Sequence, residues 1–213
     1  MTWSAPLVVK IGGGLLRAEG LEGLRRACAE ATELARRQPV LVVPGGGPFA
    51  DAVRAVDRQV GLDDAVAHAL ALRAMDQLGI VLARLLPEAD VLAHLAAPRA
   101  LGLLAAAPAF AGRPDVPESW EVTSDSLAVL AAGAIGAQKA VLLKPVAGVP
   151  ARRPSDGPPV SALTAGELQA LQDAGGGRVV DRYLPTAVCR TGVSVVVRAP
   201  GACGRSGTRI TPY

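Results

Sequence analysis

The sequence predicts an α/β fold, a mainly parallel sheet with helices over both faces. Three observations carry this. Short β-branched runs alternate with longer stretches whose apolar residues recur at helical spacing. Two glycine triplets each follow such a run, where a parallel sheet turns from strand into helix. The chain has 213 residues, is 50% hydrophobic and has a mean hydropathy of +0.33, so it can bury a substantial core without staples.

The elements follow in order. Leu7-Val8-Val9-Lys10-Ile11 reads as a strand, and Leu21, Leu24, Cys28, Ala31 and Ala35 mark a helix that reaches Arg37. Val40 to Val43 is a second strand, ending at Pro44. Phe49, Val53, Val56 and Val60 mark the next helix, and a long one runs from Leu62 to Leu86. Ala89 to Leu95 and Ala100 to Leu104 read as short strands. The segment from Pro108 to Glu118 holds three prolines and reads as loop. Thr123 or Ser124 caps a helix running to about Ile135, Ala140 to Leu143 is a buried strand, and Arg152 to Pro159 is a Pro-rich loop. Thr164-Ala165-Gly166-Glu167 fits a capping box. Gly175 to Gly177 ends that helix, Val193 to Val197 is a strand, and Thr208 to Ile210 is a last one. No internal repeat or long linker divides the chain, so residues 1–213 read as a single domain.

Composition excludes several classes. Half-apolar content rules out a disordered chain, and three cysteines rule out a disulfide scaffold. A net charge of +3 with scattered arginines is no nucleic-acid footprint. No apolar run approaches a membrane span, and the first residues lack the basic start of a signal peptide. Cys28, Cys189 and Cys203 are far apart, which favours reduced thiols and a cytoplasmic location over zinc or a redox pair.

The chemistry concentrates at a few points. Gly12-Gly13-Gly14 and Gly45-Gly46-Gly47 would present bare N–H groups at helix N-termini, which suits phosphate. Plain structural turns are the alternative. Neither triplet is a P-loop, but Gly45-x-Gly47-x-x-Ala50 satisfies a relaxed dinucleotide fingerprint, so that reading stays open. Lys10, two residues before Gly12, favours phosphoryl transfer, which needs a compact cation beside the migrating group. Of the 22 basic residues only Lys10, Lys139 and Lys144 are lysines. Lys10 and Lys144 end strands, whereas Lys139 lies in the loop before one. Thr123-Ser124-Asp125 exceeds what a helix cap needs. Asp125 could orient the two lysines or act as a base, and the hydroxyls could reach phosphate oxygens. Asp64, His68, Leu72 and Asp76 recur four apart along one helix face. If that face meets the crevice, His68 and Asp76 would meet the acceptor. If it is exposed, the pair is inert.

Five stretches, taken in order, resemble the ordered motifs of the amino acid kinase superfamily over nearly the whole chain. They are Val8-Val9-Lys10-Ile11-Gly12-Gly13, Val43-Pro44-Gly45-Gly46-Gly47, Thr123-Ser124-Asp125, Leu143-Lys144-Pro145-Val146-Ala147-Gly148-Val149 and Gly207-Thr208-Arg209-Ile210. The resemblance implies an open three-layer α/β/α sandwich on a mainly parallel, about eight-stranded sheet. It puts the acceptor over about residues 1–118 and ATP, with Mg²⁺, over about 119–213. It also implies a homo-oligomer acting on a small-molecule phosphate acceptor. Lys10, Asp125 and Lys144 would be catalytic. Gly12, Gly13, Gly14, Thr123, Ser124 and Gly148, with Lys144, would meet the nucleotide. Gly45, Gly46, Gly47, His68, Asp76 and Trp120 would meet the acceptor. Two positions depart from the pattern: Gly14 stands where a serine is common, and Ala147 where an aspartate is. The strings around Gly45 to Arg54, Ala67 to Gln77 and Ser119 to Ser126 look most like a branch of small kinases acting on an aminomethyl-furanmethanol phosphate in methanofuran biosynthesis. That implies transfer of the ATP γ-phosphoryl group to a phosphate, giving a diphosphate. Other acceptors on the same fold (isopentenyl phosphate, a nucleoside monophosphate, a carboxylate) and a non-catalytic nucleotide or dinucleotide binder are the alternatives.

Overall fold

The computed structural model describes residues 5–151, 158–201 and 207–213. In chain order the first half comprises β1 (Leu7–Ile11), α1 (Gly13–Ala35), β2 (Val40–Pro44), α2 (Gly47–Val60), α3 (Asp64–Leu85), β3 (Asp90–Leu92), β4 (Leu101–Leu104) and α4 (Ala106–Phe110). The second comprises α5 (Ser124–Ala134), β5 (Lys139–Leu143), β6 (Ala162–Thr164), α6 (Ala165–Asp173), α7 (Leu184–Thr191), β7 (Ser194–Arg198) and β8 (Thr208–Thr211). One eight-stranded sheet runs β3-β4-β2-β1-β5-β7-β8-β6, and every pairing is parallel except β7 with β8. This is the α/β/α sandwich expected.

Two buried clusters, one on each face, fill the layers. In β1, Val8 joins the cluster around α5, whereas Leu7, Val9 and Ile11 join the one under α1. In β5, Ala140 and Leu142 face the first and Val141 and Leu143 the second. This is the period-2 alternation of a strand covered on both sides. α3 serves both layers: Leu72 and Met75 belong to one cluster, Leu78 and Leu82 to the other. By length and composition alone it could cross a membrane, yet Leu72, Met75, Leu78 and Leu82 are committed to these two cores.

Several boundaries differ from those expected. α1 opens at Gly13, directly after the strand, and breaks at Gly20, whose φ of +61° only glycine adopts freely. Lys139 belongs to β5 rather than to a loop. Pro108 sits inside α4, in its first turn, where a missing N–H costs nothing. β6 and α7 were not anticipated. β6 has three residues, and α7 is only eight residues long, with Pro185 in its first turn. The capping box at Thr164 is present in both directions. Of the Pro-rich segment, residues 152–157 lie outside the described residues, as does Cys203.

Candidate active site

The sheet order places β1 beside β5, with the first-half strands on one side and the second-half strands on the other. Connections leave this junction in opposite directions, and such switch points open a crevice at the carboxyl ends of the strands. Lys10 has the same parity as Val8, so its side chain emerges on the α5 face. The register pairs Lys10 with Leu142, so Lys144, two residues on, emerges on that face too. Asp125, in the first turn of α5, lies between them. Its Oδ1 is 2.9 Å from Lys10 Nζ, and its Oδ2 accepts from Lys144 Nζ at 2.7 Å.

Lys10 and Asp125 are buried and Lys144 partly so. A buried ammonium without a counter-charge would be strongly unfavourable, so Asp125 makes Lys10 tenable. Burial lowers the Lys10 pKa, helped by the Lys144 charge and opposed by Asp125. Burial alone would raise Asp125, but the two ammonium groups hold it at about 2. Two cations on one carboxylate leave one net positive charge, which suits the oxygens of a phosphoryl group.

A cavity of about 390 Å³ opens over this cluster. Gly13 and Gly14 of α1, Gly46 and Gly47 of α2, and Thr123, Ser124 and Asp125 of α5 all line it. Three helix N-termini therefore converge on one space, each bringing the partial positive charge of its helix dipole. The glycines are also structural. A Cβ on Gly13 would lie 2.0 Å from Gly47 Cα, so the two turns lock backbone to backbone, and Gly47 itself has φ +53°. This packing gives the fingerprint Gly45-x-Gly47-x-x-Ala50 a local reason that needs no dinucleotide. Gly12 and Gly45 do not line the cavity. Their N–H groups are used by Leu143 and Ile11 carbonyls, at 3.2 and 2.9 Å. A Cβ on Gly12 would come within 2.9 Å of Lys10 Nζ, so Gly12 leaves room for the lysine.

Asp181, which the sequence did not single out, holds this end of α5. Its Oδ2 accepts from Thr123 N, Thr123 Oγ1 and Ser126 N at 2.9, 2.8 and 3.0 Å, and its Oδ1 accepts from Ser126 Oγ. It caps the helix from a distant segment. The Thr123 hydroxyl is therefore committed to Asp181 rather than offered to a phosphate. Burial and the Asp125 charge raise the Asp181 pKa to about 6, against these hydrogen bonds. The only local sign was an aspartate after Val179-Val180, which carries no chemistry by itself.

The first-half wall divides the remaining expectations. His68 is buried and lines the cavity, and burial lowers its pKa against the opposing charge of Glu118. Asp76 does not line it. Its carboxylate accepts from Ala106 N and Ala107 N, at 2.5 and 3.2 Å, and so caps α4 instead of meeting an acceptor. The helix drifts by one face over the stripe, so Asp64 is exposed, His68 meets the cavity and Asp76 meets α4. Trp120 lines the cavity, with its Nε1 donating to Asp57 at 2.8 Å. Gly148 lies away from it: a Cβ there would meet Thr208 Oγ1 at 2.6 Å, and the Thr208 hydroxyl ties Val149 N to Val160 O. Gly148 is thus a packing joint against the start of β8. Arg17, Asp51 and Arg54 line the cavity as well, and none of them had a role legible in the sequence.

The family model described as the amino acid kinase family matches residues 5–198. The chain is 25% identical over 171 residues to the [5-(aminomethyl)furan-3-yl]methyl phosphate kinase of Methanocaldococcus jannaschii, covering 77% of this chain and 76% of that one. Its fold is similar to that of the uridylate kinase from Archaeoglobus fulgidus, with a TM-score of 0.74 at 20% identity over 96% of this chain and 99% of that one. It is also similar to the aspartate kinase from Synechocystis, with a TM-score of 0.74 at 17% identity over 98% of this chain and 40% of the other.

Proposed function

The chain belongs to the amino acid kinase family and is a small-molecule kinase, and from that premise we propose that it transfers the γ-phosphoryl group of ATP to the phosphate of a small phosphomonoester. The acceptor we propose is 5-(aminomethyl)-3-furanmethanol phosphate, which becomes a diphosphate. The likeness to the Methanocaldococcus jannaschii kinase supports that choice. One observation carries the reaction class: Lys10, Asp125 and Lys144 meet under three helix N-termini in one cavity.

In this reading an acceptor phosphate oxygen forms a bond to the γ-phosphorus while the bond to the β-phosphate oxygen breaks, and ADP leaves. No proton needs to move, so no general base is required, and Asp125 serves to aim the lysines. Phosphoryl transfer depends on positioning and on neutralising spread charge, which the lysines and helix termini supply. Lys10 and Lys144 hold the phosphoryl oxygens, with the N–H groups of Gly13 and Gly14 beside them. About residues 1–118 would carry the acceptor and about 119–213 the nucleotide. Among the described residues no group of three or more His, Cys, Asp or Glu could hold a metal ion. Mg²⁺ therefore fits as a companion of the ATP phosphates, where it would neutralise charge.

Cys28 is buried with its thiol pushed up to about 12 by burial, and it and Cys189 are free. That supports a reduced, cytoplasmic setting. The homo-oligomer is proposed from membership of the amino acid kinase family. The deciding experiment incubates the full chain with MgATP and single acceptors, namely furan, isoprenoid and nucleoside monophosphates and carboxylates. Product is followed by ³¹P NMR. A new diphosphate pair of resonances with the furan phosphate is expected. Phosphorylation of a carboxylate alone, or ATP binding without turnover on any acceptor, would overturn the proposal.

A further inference from the structure

We infer that Arg17 and Arg54 form the seat for the acceptor's own phosphate, with Asp51 keeping both guanidinium groups in place until it arrives. The inference rests on the phosphomonoester reading above and adds the groups that recognise the acceptor. Arg17 lies one turn into α1 beyond Gly13, and Asp51 and Arg54 lie on α2 beyond Gly47. The interlocked glycine turns bring these two helix starts together. Arg17 Nη2 is 3.0 Å from Asp51 Oδ2, and Arg54 Nη1 is 3.2 Å from Asp51 Oδ1. All three side chains line the cavity that holds Lys10 and Lys144.

Stability does not explain this arrangement. The side chains of Arg17, Asp51 and Arg54 are 59%, 42% and 40% exposed, and ion pairs at that exposure contribute little to folding. Arg54 is nonetheless held. Its Cζ stands 4.8 Å from the Trp120 ring centroid, and Trp120 Nε1 is fixed by Asp57 of the same helix. Asp57 Oδ1 in turn accepts from Leu62 N at 2.9 Å, just past the end of α2. A guanidinium positioned at a cavity wall with no stability reason points to a ligand.

The charge pattern says which ligand. Two arginines on one carboxylate leave one net positive charge and several unused donors, as two lysines on Asp125 do. Joining two phosphates requires two anion seats in one cavity. The compact ammonium groups suit the migrating phosphoryl group, and the planar forks suit the non-bridging oxygens of a terminal phosphate. A carboxylate acceptor carries less charge and fewer oxygens, so this second seat also selects phosphomonoesters over carboxylates.

The test uses the full chain and its Arg17→Gln, Arg54→Gln and Arg54→Lys variants. Steady-state kinetics are run with MgATP and [5-(aminomethyl)furan-3-yl]methyl phosphate, and inorganic phosphate is the competing probe. Each Gln variant is expected to raise the acceptor KM and the phosphate inhibition constant at least tenfold, with the ATP KM within twofold. Arg54→Lys is expected to recover part of the loss, because it keeps the charge but not the fork. A clamp between α1 and α2 would instead lower Tm and leave the acceptor KM unchanged, and that result overturns the inference. Equal rises in both KM values overturn it too. Normal phosphomonoester turnover in both Gln variants sinks the arginine seat alone. A wild-type chain that neither binds nor phosphorylates a phosphomonoester sinks the proposed function and the seat together.

Discussion

Lys10 and Asp181 show how single residues act here through the charges around them. Lys10 is buried against Asp125 and brings its ammonium to the cavity wall. Lys10→Ala is expected to lower kcat by about 10²–10³, the loss typical of one preorganised donor, while the far-ultraviolet circular dichroism is unchanged. Near-normal turnover would remove Lys10 from the mechanism. Asp181 bears on stability. Its pKa is raised from 3.8 to about 6 in the fold, so as pH rises between these values the unfolded chain releases the proton while the folded one retains it. Its contribution is full below the lower value and is lost as pH passes about 6. Asp125 works the other way, since its depressed pKa of about 2 gives stability that disappears as pH falls from 3.8. Asp181→Asn should therefore flatten the fall in Tm between about pH 4 and 6, measured by calorimetry. An unchanged slope would assign that slope to other groups. Lys10, Asp125 and Lys144 were legible because lysine is rare in this chain and each sits at a strand or helix end. Arg17, Arg54 and Asp181 were not, because nothing local distinguishes them from surface charges.

Among the elements, the strand-to-helix turns are the most constrained. Gly13 and Gly14 are neighbours in one triplet, yet their surroundings differ. A Cβ on Gly13 would strike Gly47 Cα at 2.0 Å, whereas one on Gly14 would meet only Pro145 Cδ, at 3.5 Å. Gly13→Ala is expected to destabilise the chain by about 1–3 kcal/mol or more, as overpacking against backbone does. Gly14→Ala should be neutral or stabilising by about 0.4–1 kcal/mol, through lost freedom of the unfolded chain. Urea denaturation of the two variants checks this, and equal midpoints would refute the interlock. The triplets read in the sequence as phosphate loops or plain turns, and in the fold they are interlocked turns, four of whose glycines line the cavity. The capping box at Thr164 was readable because its partners are three residues apart. α7 was not, since its apolar residues become meaningful only once they pack against α5 and α6. Phe49, just past the second triplet, packs partly buried against the core under α1, whereas Trp120 lines the cavity.

Across the whole molecule, the decisive contact is β1 against β5, where the two halves of one sheet join. Residues far apart in sequence become neighbours there, and Lys10 meets Lys144 only through that register. Leu142 is fully buried beside Lys10 in the ladder. Leu142→Ala is expected to cost about 2–5 kcal/mol by leaving a cavity under α5. Activity should fall with it, since the strand that aims Lys144 loses its footing. Thermal unfolding of the variant beside its kcat tests both, and lost stability with unaltered kcat would separate the strand's packing from the site's geometry.

The sequence by itself determined the fold class, most strands and helices, the family and the lysine–aspartate cluster. Those features are written in local periodicity, glycine turns and the scarcity of lysine. The tertiary structure alone decided that Asp76 caps α4, that Gly148 is a packing joint, and that Asp181 and the Arg17–Asp51–Arg54 group border the cavity. Each depends on which distant backbone or charge a side chain meets, and that is set by strand order and helix docking rather than by neighbours in the chain.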